Sequence, residues 1–305
     1  MKRAVLRLGF FGLACLAVMT PALAQQQDFS QVKIVPTKIN DNFFTLDGQG
    51  GRMGVLTGPD GVFIVDAQFA PLTERLVASI REVSNAPLKL LVNTHVHGDH
   101  TGGNANFAKL GATIMSRPKL RERLAKPNPP AGGGQAPAPA PAAALPVVVF
   151  DSRTTVNMNG ETVHLVPLPV AHTDGDTAVF FEHANVLMTG DVYRSIGYPN
   201  IDRANGGTLA GMLAALQTLI DTAGPATRVA PGHGDLTNRA GIQAHRDMAV
   251  TVRDRVAQAL RDGKSAEEIR AAKPTAEFEQ RVGGPPNFIT QFVDGLISEL
   301  CSQRR

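Results

Sequence analysis

The chain has 305 residues, with 30 lysines and arginines, 27 aspartates and glutamates, eight histidines and two cysteines. That length supports one large domain or two small ones with a sizeable core. Removing the basic Lys2, Arg3 and Arg7 of the opening segment leaves 27 basic against 27 acidic side chains, which argues against a nucleic-acid-binding surface.

Residues 1–24, MKRAVLRLGFFGLACLAVMTPALA, read as a secretory signal peptide. A charged start precedes an apolar run, and Ala22-Leu23-Ala24 supplies the small residues of a cleavage site. The rival reading is an uncleaved anchor, but the run is short for a membrane span. Cys15 lies inside that run and fits a lipoprotein site poorly. The expected location is the periplasm or outside the cell, with no stable membrane insertion after cleavage. The mature chain keeps only Cys301, so an intramolecular disulfide is excluded, and this cysteine reads as a packed helix residue.

A single domain is expected over 31–305. Short β-type runs come first: VKIVP, NFFTL, GVLTG, then a Pro59-Asp60-Gly61 turn and VFIVDA. Residues 71–83 carry apolar positions at helical spacing, with Pro71 suited to a first turn. LKLLVNT is a nearly continuous apolar run, as in a strand covered on both faces. NANFAKLG predicts a helix that Gly111 can end, and ATIMS another strand. Residues 126–146 are rich in Pro, Ala and Gly and read as a mobile extended loop, either an insertion without function or a flap near the site. Beyond it VVVFD, TTVNM, ETVHLVPL, TAVFFE, NVLMTGD and RVAPG predict strands, and 208–222 and 236–262 predict helices. Interleaved strands and helices in two halves point to a layered α/β fold.

NTHVHGDHTGG, residues 93–103, gathers His95, His97, Asp99 and His100. A core would not tolerate this cluster without satisfying its polar groups. Alternation along an extended segment puts His95 and His97 on one face. Gly98 lets the chain turn, so Asp99 and His100 point elsewhere at the start of a helix. One stretch can thus serve two neighbouring metal ions, and imidazole with carboxylate suits zinc. Further ligand types follow at strand ends: His172 in PVAHTDGDT, Asp191 in VLMTGDVY and His233 in RVAPGHG. Strand ends are where separate segments can share one cleft. The competing readings are a hydrogen-bonded structural cluster, a single structural zinc, or a non-catalytic metal-binding protein. His164, His183 and His245 match no such position and read as strand or helix surface.

The His95-Val96-His97-Gly98-Asp99-His100 run, with His172, Asp191 and His233 in order, resembles the metallo-β-lactamase superfamily over about residues 31–262. The resemblance implies a four-layer αββα sandwich with a dinuclear site at one edge of the sheets. It implies two zinc ions, His95, His97 and His172 holding the first, Asp99, His100 and His233 the second, and Asp191 bridging. Metal-bound water has its pKa lowered towards 7, so the implied chemistry is hydrolysis of a carbonyl compound, with Asp99 as the catalytic residue that orients the nucleophile. A periplasmic β-lactam-type cyclic amide is the first substrate reading. Asp191 stands where one branch of true β-lactamases has cysteine, and is similar instead to thioesterases and lactonases of glyoxalase II type. An aspartate bridge also makes iron or manganese credible, and with iron an oxidoreductase. Arg194, three residues past Asp191, could grip the carboxylate of an anionic small substrate. Tyr193 and Tyr198 could bind an oxyanion, or pack a loop against the sheet.

Overall fold

Four strands open the fold because four apolar runs are joined by tight turns: β1 (Val35–Lys38), β2 (Phe43–Asp47), β3 (Met53–Leu56) and β4 (Val62–Val65) form an antiparallel meander. The structure, a computed structural model, describes residues 28–130, 133–284 and 286–302. The signal-peptide reading lies outside the described residues. The chain divides into Met1–Gln31 and Val32–Arg305, and among the described residues the strands and helices belong to the second unit.

After β4 the sheet continues in parallel, which requires crossovers. α1 (Thr73–Val83) leads to β5 (Leu88–Val92), and α2 (Gly98–Thr101) with α3 (Asn104–Lys109) leads to β6 (Thr113–Ser116). α4 (Pro118–Ala125) and the Pro-rich stretch lead to the two-residue β7 (Val148–Val149). The second sheet joins β8 (Thr154–Met158), β9 (Glu161–Pro167), β10 (Thr177–Phe181) and β11 (Val186–Met188) as antiparallel neighbours. α5 (Leu209–Thr222) then crosses to β12 (Arg228–Ala230), parallel to β11, and β13 (Thr237–Asn238) closes that edge. α6 (Arg239–Arg261), α7 (Ala266–Ala271), α8 (Ala276–Val282) and α9 (Pro286–Ser302) end the described chain.

Alternation along the strands decides the layers. Phe63 and Val65 of β4 share one buried core with Val163 and Leu165 of β9, Val179 and Phe181 of β10, and Val186 and Met188 of β11. The two sheets therefore face each other across this core. Phe181 stands between them, with ring centroids 4.4 Å from Phe43 and 5.8 Å from Phe63. Outward residues of the second sheet, Val166, Ala178, Leu187 and Val229, pack under Met212, Leu216 and Leu219 of α5 and Ile242 of α6. Ile80 and Val83 of α1 lie against Phe44, Leu46 and Val55 of the first sheet. The architecture is the αββα sandwich.

Several sequence expectations shift. Pro71 falls in a 3-10 turn (Ala70–Leu72) ahead of α1, and β1 starts later than VKIVP. β13 is too short to leave a pattern. Cys301 lies on α9 but is exposed, not packed, because that helix buries Phe292, Val293, Leu296 and Ile297 instead. The Pro-rich stretch is tied at both ends. Asn128 Nδ2 donates to the Ala204 carbonyl at 2.7 Å, the Ala140 amide to Leu124 at 2.9 Å, and the carbonyl of buried Ala144 accepts from Asn104 at 3.1 Å.

Candidate metal centre

The parallel registers bring the strand ends to one edge. Val65 pairs with Val92, so Asp66 and Thr94 emerge together, and Met188 pairs with Ala230, so the Asp191 and His233 loops emerge together. The sheets are joined there by the Thr177 amide donating to the Thr94 carbonyl at 2.8 Å, and by the Arg52 amide donating to Gly232 at 2.8 Å. A Cβ at Gly232 would sit 2.1 Å from Asp191 Oδ1, so a larger residue there displaces that carboxylate.

At this edge all seven predicted ligands meet. His95, His97, His172 and Asp191 form one group, and Asp99, His100 and His233 a second, with ligand atoms of each group within 4.8 Å of one another. Asp191 lies between them. Its Oδ1 is 3.4 Å from His100 Nε2, and its Oδ2 is 3.3 Å from His233 Nε2 and 4.0 Å from His172 Nε2. Asp99 Oδ2 is 3.2 Å from His233 Nε2.

The partners on the far side of each ring fix its tautomer. His172 Nδ1 donates to the Asn200 carbonyl at 2.7 Å, an oxygen that can only accept. His97 Nε2 donates to Asp202 Oδ2 at 2.7 Å, and His100 Nδ1 to Asp66 Oδ2 at 2.7 Å. The Thr94 hydroxyl donates to Asp66 at 2.7 Å, so its lone pair faces His95 Nδ1 at 3.1 Å. His95, His97 and His172 thus turn a bare nitrogen lone pair inward, and His100 turns its Nε2 inward towards Asp191 Oδ1. His97 Nδ1 and His172 Nε2 stand only 3.0 Å apart, and two facing lone pairs hold that distance only with something electron-poor between or beside them. His95 Nε2, His100 Nε2 and Asp191 Oδ1 are buried with no hydrogen-bond partner. Orphaned inward acceptors are costly in a protein interior, and a cation satisfies all of them together. The residues fit divalent metal ions.

Electrostatics agree. Burial, then the neighbouring His100 and His172, hold His95 well below the ordinary histidine range, and burial with His97 lowers His172 to about 4. Burial opposes charge on His100, yet Asp66 and Asp191 outweigh it and hold its pKa well above normal. His233 is raised, the carboxylates of Asp191 and Asp99 overcoming burial. Burial likewise fails to neutralise Asp191 and Asp99, which the histidines keep ionised. With both carboxylates charged and His95 and His172 neutral, the pocket favours positive charge.

Sequence reasoning missed the supports. Asp66 follows VFIV as the end of a strand and gave no signal, though its φ of +62° marks a left-handed backbone that non-glycine residues seldom adopt. Asp202 lies 105 residues from His97, which no spacing could reveal. Asp176 receives the Thr173 amide at 2.9 Å and hydroxyl at 2.6 Å, tightening the turn that carries His172.

The substrate-residue expectations fare differently. Tyr193 is buried beside α5 and α6, its ring 5.3 Å from His245, so it packs rather than lining a cleft. Tyr198 lines a cavity next to His97, but its hydroxyl donates to the Thr275 carbonyl at 3.4 Å. Arg194 is buried, its guanidinium carbon 5.0 Å over the Phe288 ring, and is not among the residues lining that cavity. His164 and His183 pair with Glu182 and Glu161 at the surface of the second sheet. His245 is not at a helix surface: it is 7% exposed, on the inner face of α6, with its ring edge-on to Tyr193.

The family model of the metallo-beta-lactamase superfamily matches residues 46–240. The chain belongs to this superfamily. Among curated relatives, the Beta-lactamase-like protein 2 homolog of Caenorhabditis elegans is 25% identical over 224 residues, 72% of this chain and 68% of the relative. The Atrochrysone carboxyl ACP thioesterase of Aspergillus fumigatus is 26% identical over 234 residues, 75% of this chain and 48% of the relative. The Lactamase-like protein aptB of Emericella nidulans is 27% identical over 146 residues, 48% of this chain, and that match spans 40% of the relative's length. In fold, the chain is similar to DIM-1 metallo-beta-lactamase, with TM-score 0.59 and 19% identity, covering 72% of this chain and 99% of DIM-1. It is also similar to the sec-alkylsulfatase Pisa1 of a Pseudomonas species, with TM-score 0.65 and 13% identity, over 87% of this chain and 50% of that one.

Proposed function

We propose that this superfamily member is a metal-dependent hydrolase that cleaves a carboxylic acyl bond, an ester, thioester or lactone, at a centre for two ions. The observation that carries it is the convergence of four tautomer-fixed imidazoles with Asp99, Asp191 and His233. His95, His97 and His172 would hold one ion, Asp99, His100 and His233 the other, with Asp191 between. Imidazole and carboxylate without thiolate suit zinc, with iron or manganese as competitors. Ions bound there supply a water of lowered pKa and an electrophile for the carbonyl oxygen.

The chain's own residues do the rest. Asp99 has an ionised carboxylate that is partly exposed, so it can orient water and accept its proton at Oδ2. Asp202 and Asp66 hold the ligand rings against reorientation. No serine or cysteine nucleophile is required. The thioester arm is motivated by the thioesterase name of the Aspergillus fumigatus relative. The sequence also read Arg194 as a grip for a substrate carboxylate; its guanidinium stacks on Phe288 and does not line the cavity beside His97. The opening segment, with its charged start and Ala22-Leu23-Ala24, supports export to the periplasm; fractionation of cells would test it.

The test is a panel of p-nitrophenyl esters, a lactone, an acyl thioester and a chromogenic cephalosporin with purified protein. Turnover of an ester, lactone or thioester that chelator abolishes and added metal restores is expected. Turnover untouched by exhaustive chelation overturns the reading.

A further inference from the structure

A cavity of about 500 Å³ opens beside His97, between the 198–203 loop and α9. α9 lies outside the segment that the superfamily model matches, which ends at residue 240. It is nonetheless firmly seated. Its inner face packs Val293 and Leu296 with Val252 and Val256 of α6. Glu299 accepts from Arg203 at 2.8 Å and from the amide of Leu209 at 3.0 Å, and Arg203 also donates to the Gly295 carbonyl at 2.8 Å. The helix thus clamps the loop that carries Asp202, the residue that orients His97.

The walls decide what the cavity can hold. Tyr198, Pro199, Ile201, Phe288 and Phe292 present apolar surface, with Asn200 and the charged loop residues lining the rest. The charged groups that reach it are already committed. Asp202 accepts from His97 and from the amide of Ala204 and the side chain of Asn205. The Arg203 charge is met by Glu299 at 2.8 Å. Gln291 is exposed, at the mouth. An anion placed here would face the Asp202 carboxylate and find no uncommitted cation among the described lining residues, at a desolvation cost that nothing offsets. An aromatic ring or alkyl chain laid along the apolar surface would gain from leaving water.

We infer that this cavity is the specificity pocket of the hydrolase, and that it takes an uncharged apolar group of the substrate, attached directly to the acyl carbon that reacts beside His97. The inference rests on the hydrolase reading and names its substrate class: apolar acyl esters or thioesters. It departs from the sequence expectation of an anionic substrate. Phe288, half-buried at the rim, and Ile201 on the opposite wall are the specificity-determining residues.

The experiment compares p-nitrophenyl acetate, butyrate and octanoate with the hemisuccinate ester, for wild type, Phe288→Ala and Ile201→Ala, with metal content measured for each. Each methylene that becomes buried is worth about fourfold, so kcat/KM is expected to rise at least about tenfold from acetate to octanoate. The hemisuccinate should fall below the butyrate. Both variants should shrink the octanoate-to-acetate ratio at unchanged metal content, chiefly through KM. Binding of the neutral fluorophore N-phenyl-1-naphthylamine, weakened in Phe288→Ala, reads the cavity without turnover. If esters are cleaved with no chain-length preference, or the hemisuccinate is preferred, the pocket inference is overturned and the hydrolase reading stands. If no ester, lactone or thioester is cleaved yet the fluorophore binds and Phe288→Ala weakens it, the hydrolase reading fails and the apolar cavity stands.

Discussion

Nε2 of His97 lies 2.7 Å from Oδ2 of Asp202, a residue 105 positions later in the chain. The carboxylate also accepts the Ala204 and Asn205 amides, so the ring is fixed by a group that is itself fixed. The hydrogen on Nε2 leaves Nδ1 bare beside His172. Removing such a support typically lowers metal affinity by about 10–100-fold. Asp202→Ala should show a loss of that size in chelator competition, and Asp202→Asn, whose carbonyl can still accept, a smaller one.

Asp66 plays the same part for the second group. It receives the Thr94 amide at 2.8 Å and hydroxyl at 2.7 Å and faces His100 Nδ1 at 2.7 Å. Asp66→Ala frees His100 and Thr94 together. His100 loses its direct partner and His95 only an indirect one through Thr94, so metal binding is expected to weaken at both groups and more at that of Asp99, His100 and His233, read as fewer than two metals per chain by elemental analysis.

Gly232→Ala should disturb Asp191 without altering a ligand. The added carbon would sit 2.1 Å from Asp191 Oδ1 and 2.9 Å from the backbone carbon of Gly190, so the Asp191 carboxylate must move. Lower metal occupancy and a lower Tm are expected. Full occupancy in this variant would show that the close approach is harmless.

The core makes a separate prediction. Phe181 is fully buried and contacts rings from both strands opposite it. Phe181→Ala should cost about 3–5 kcal/mol in urea unfolding, with the metal site intact in the protein that remains folded.

His245 gives a pH dependence with a definite sign. Burial, then the charges of Arg194 and Arg281, lower its pKa from 6.5 to about 3. The folded state therefore resists a proton that the unfolded chain takes up, so the stability it allows is present above pH 6.5 and lost as pH falls towards 3. Between pH 7 and pH 5 wild type should lose about 2 kcal/mol more than His245→Leu. Equal losses in denaturant titrations would contradict the assignment.

The ligands were legible because each is a metal-binding residue type at the end of a readable strand, and His95 to His100 carry the spacing within six residues. The long helices α5 and α6 were legible from apolar periodicity. What escaped was everything fixed by tertiary contact. Asp66 and Asp202 are ordinary acidic residues until the fold sets them against His100 and His97. Arg194 had the right spacing for a substrate grip, but Phe288, far off in sequence, decides where its guanidinium lies. The cavity under α9 is likewise a product of two segments with no shared motif.

The central claim is that seven side chains from four segments hold two adjacent cations. Elemental analysis of the protein purified from metal-replete medium tests it most directly, alongside Asp191→Ala. The account predicts two divalent ions per chain in wild type and at most one in the variant. Wild-type protein that stays folded and binds no transition metal, or a variant that still holds two, would contradict it.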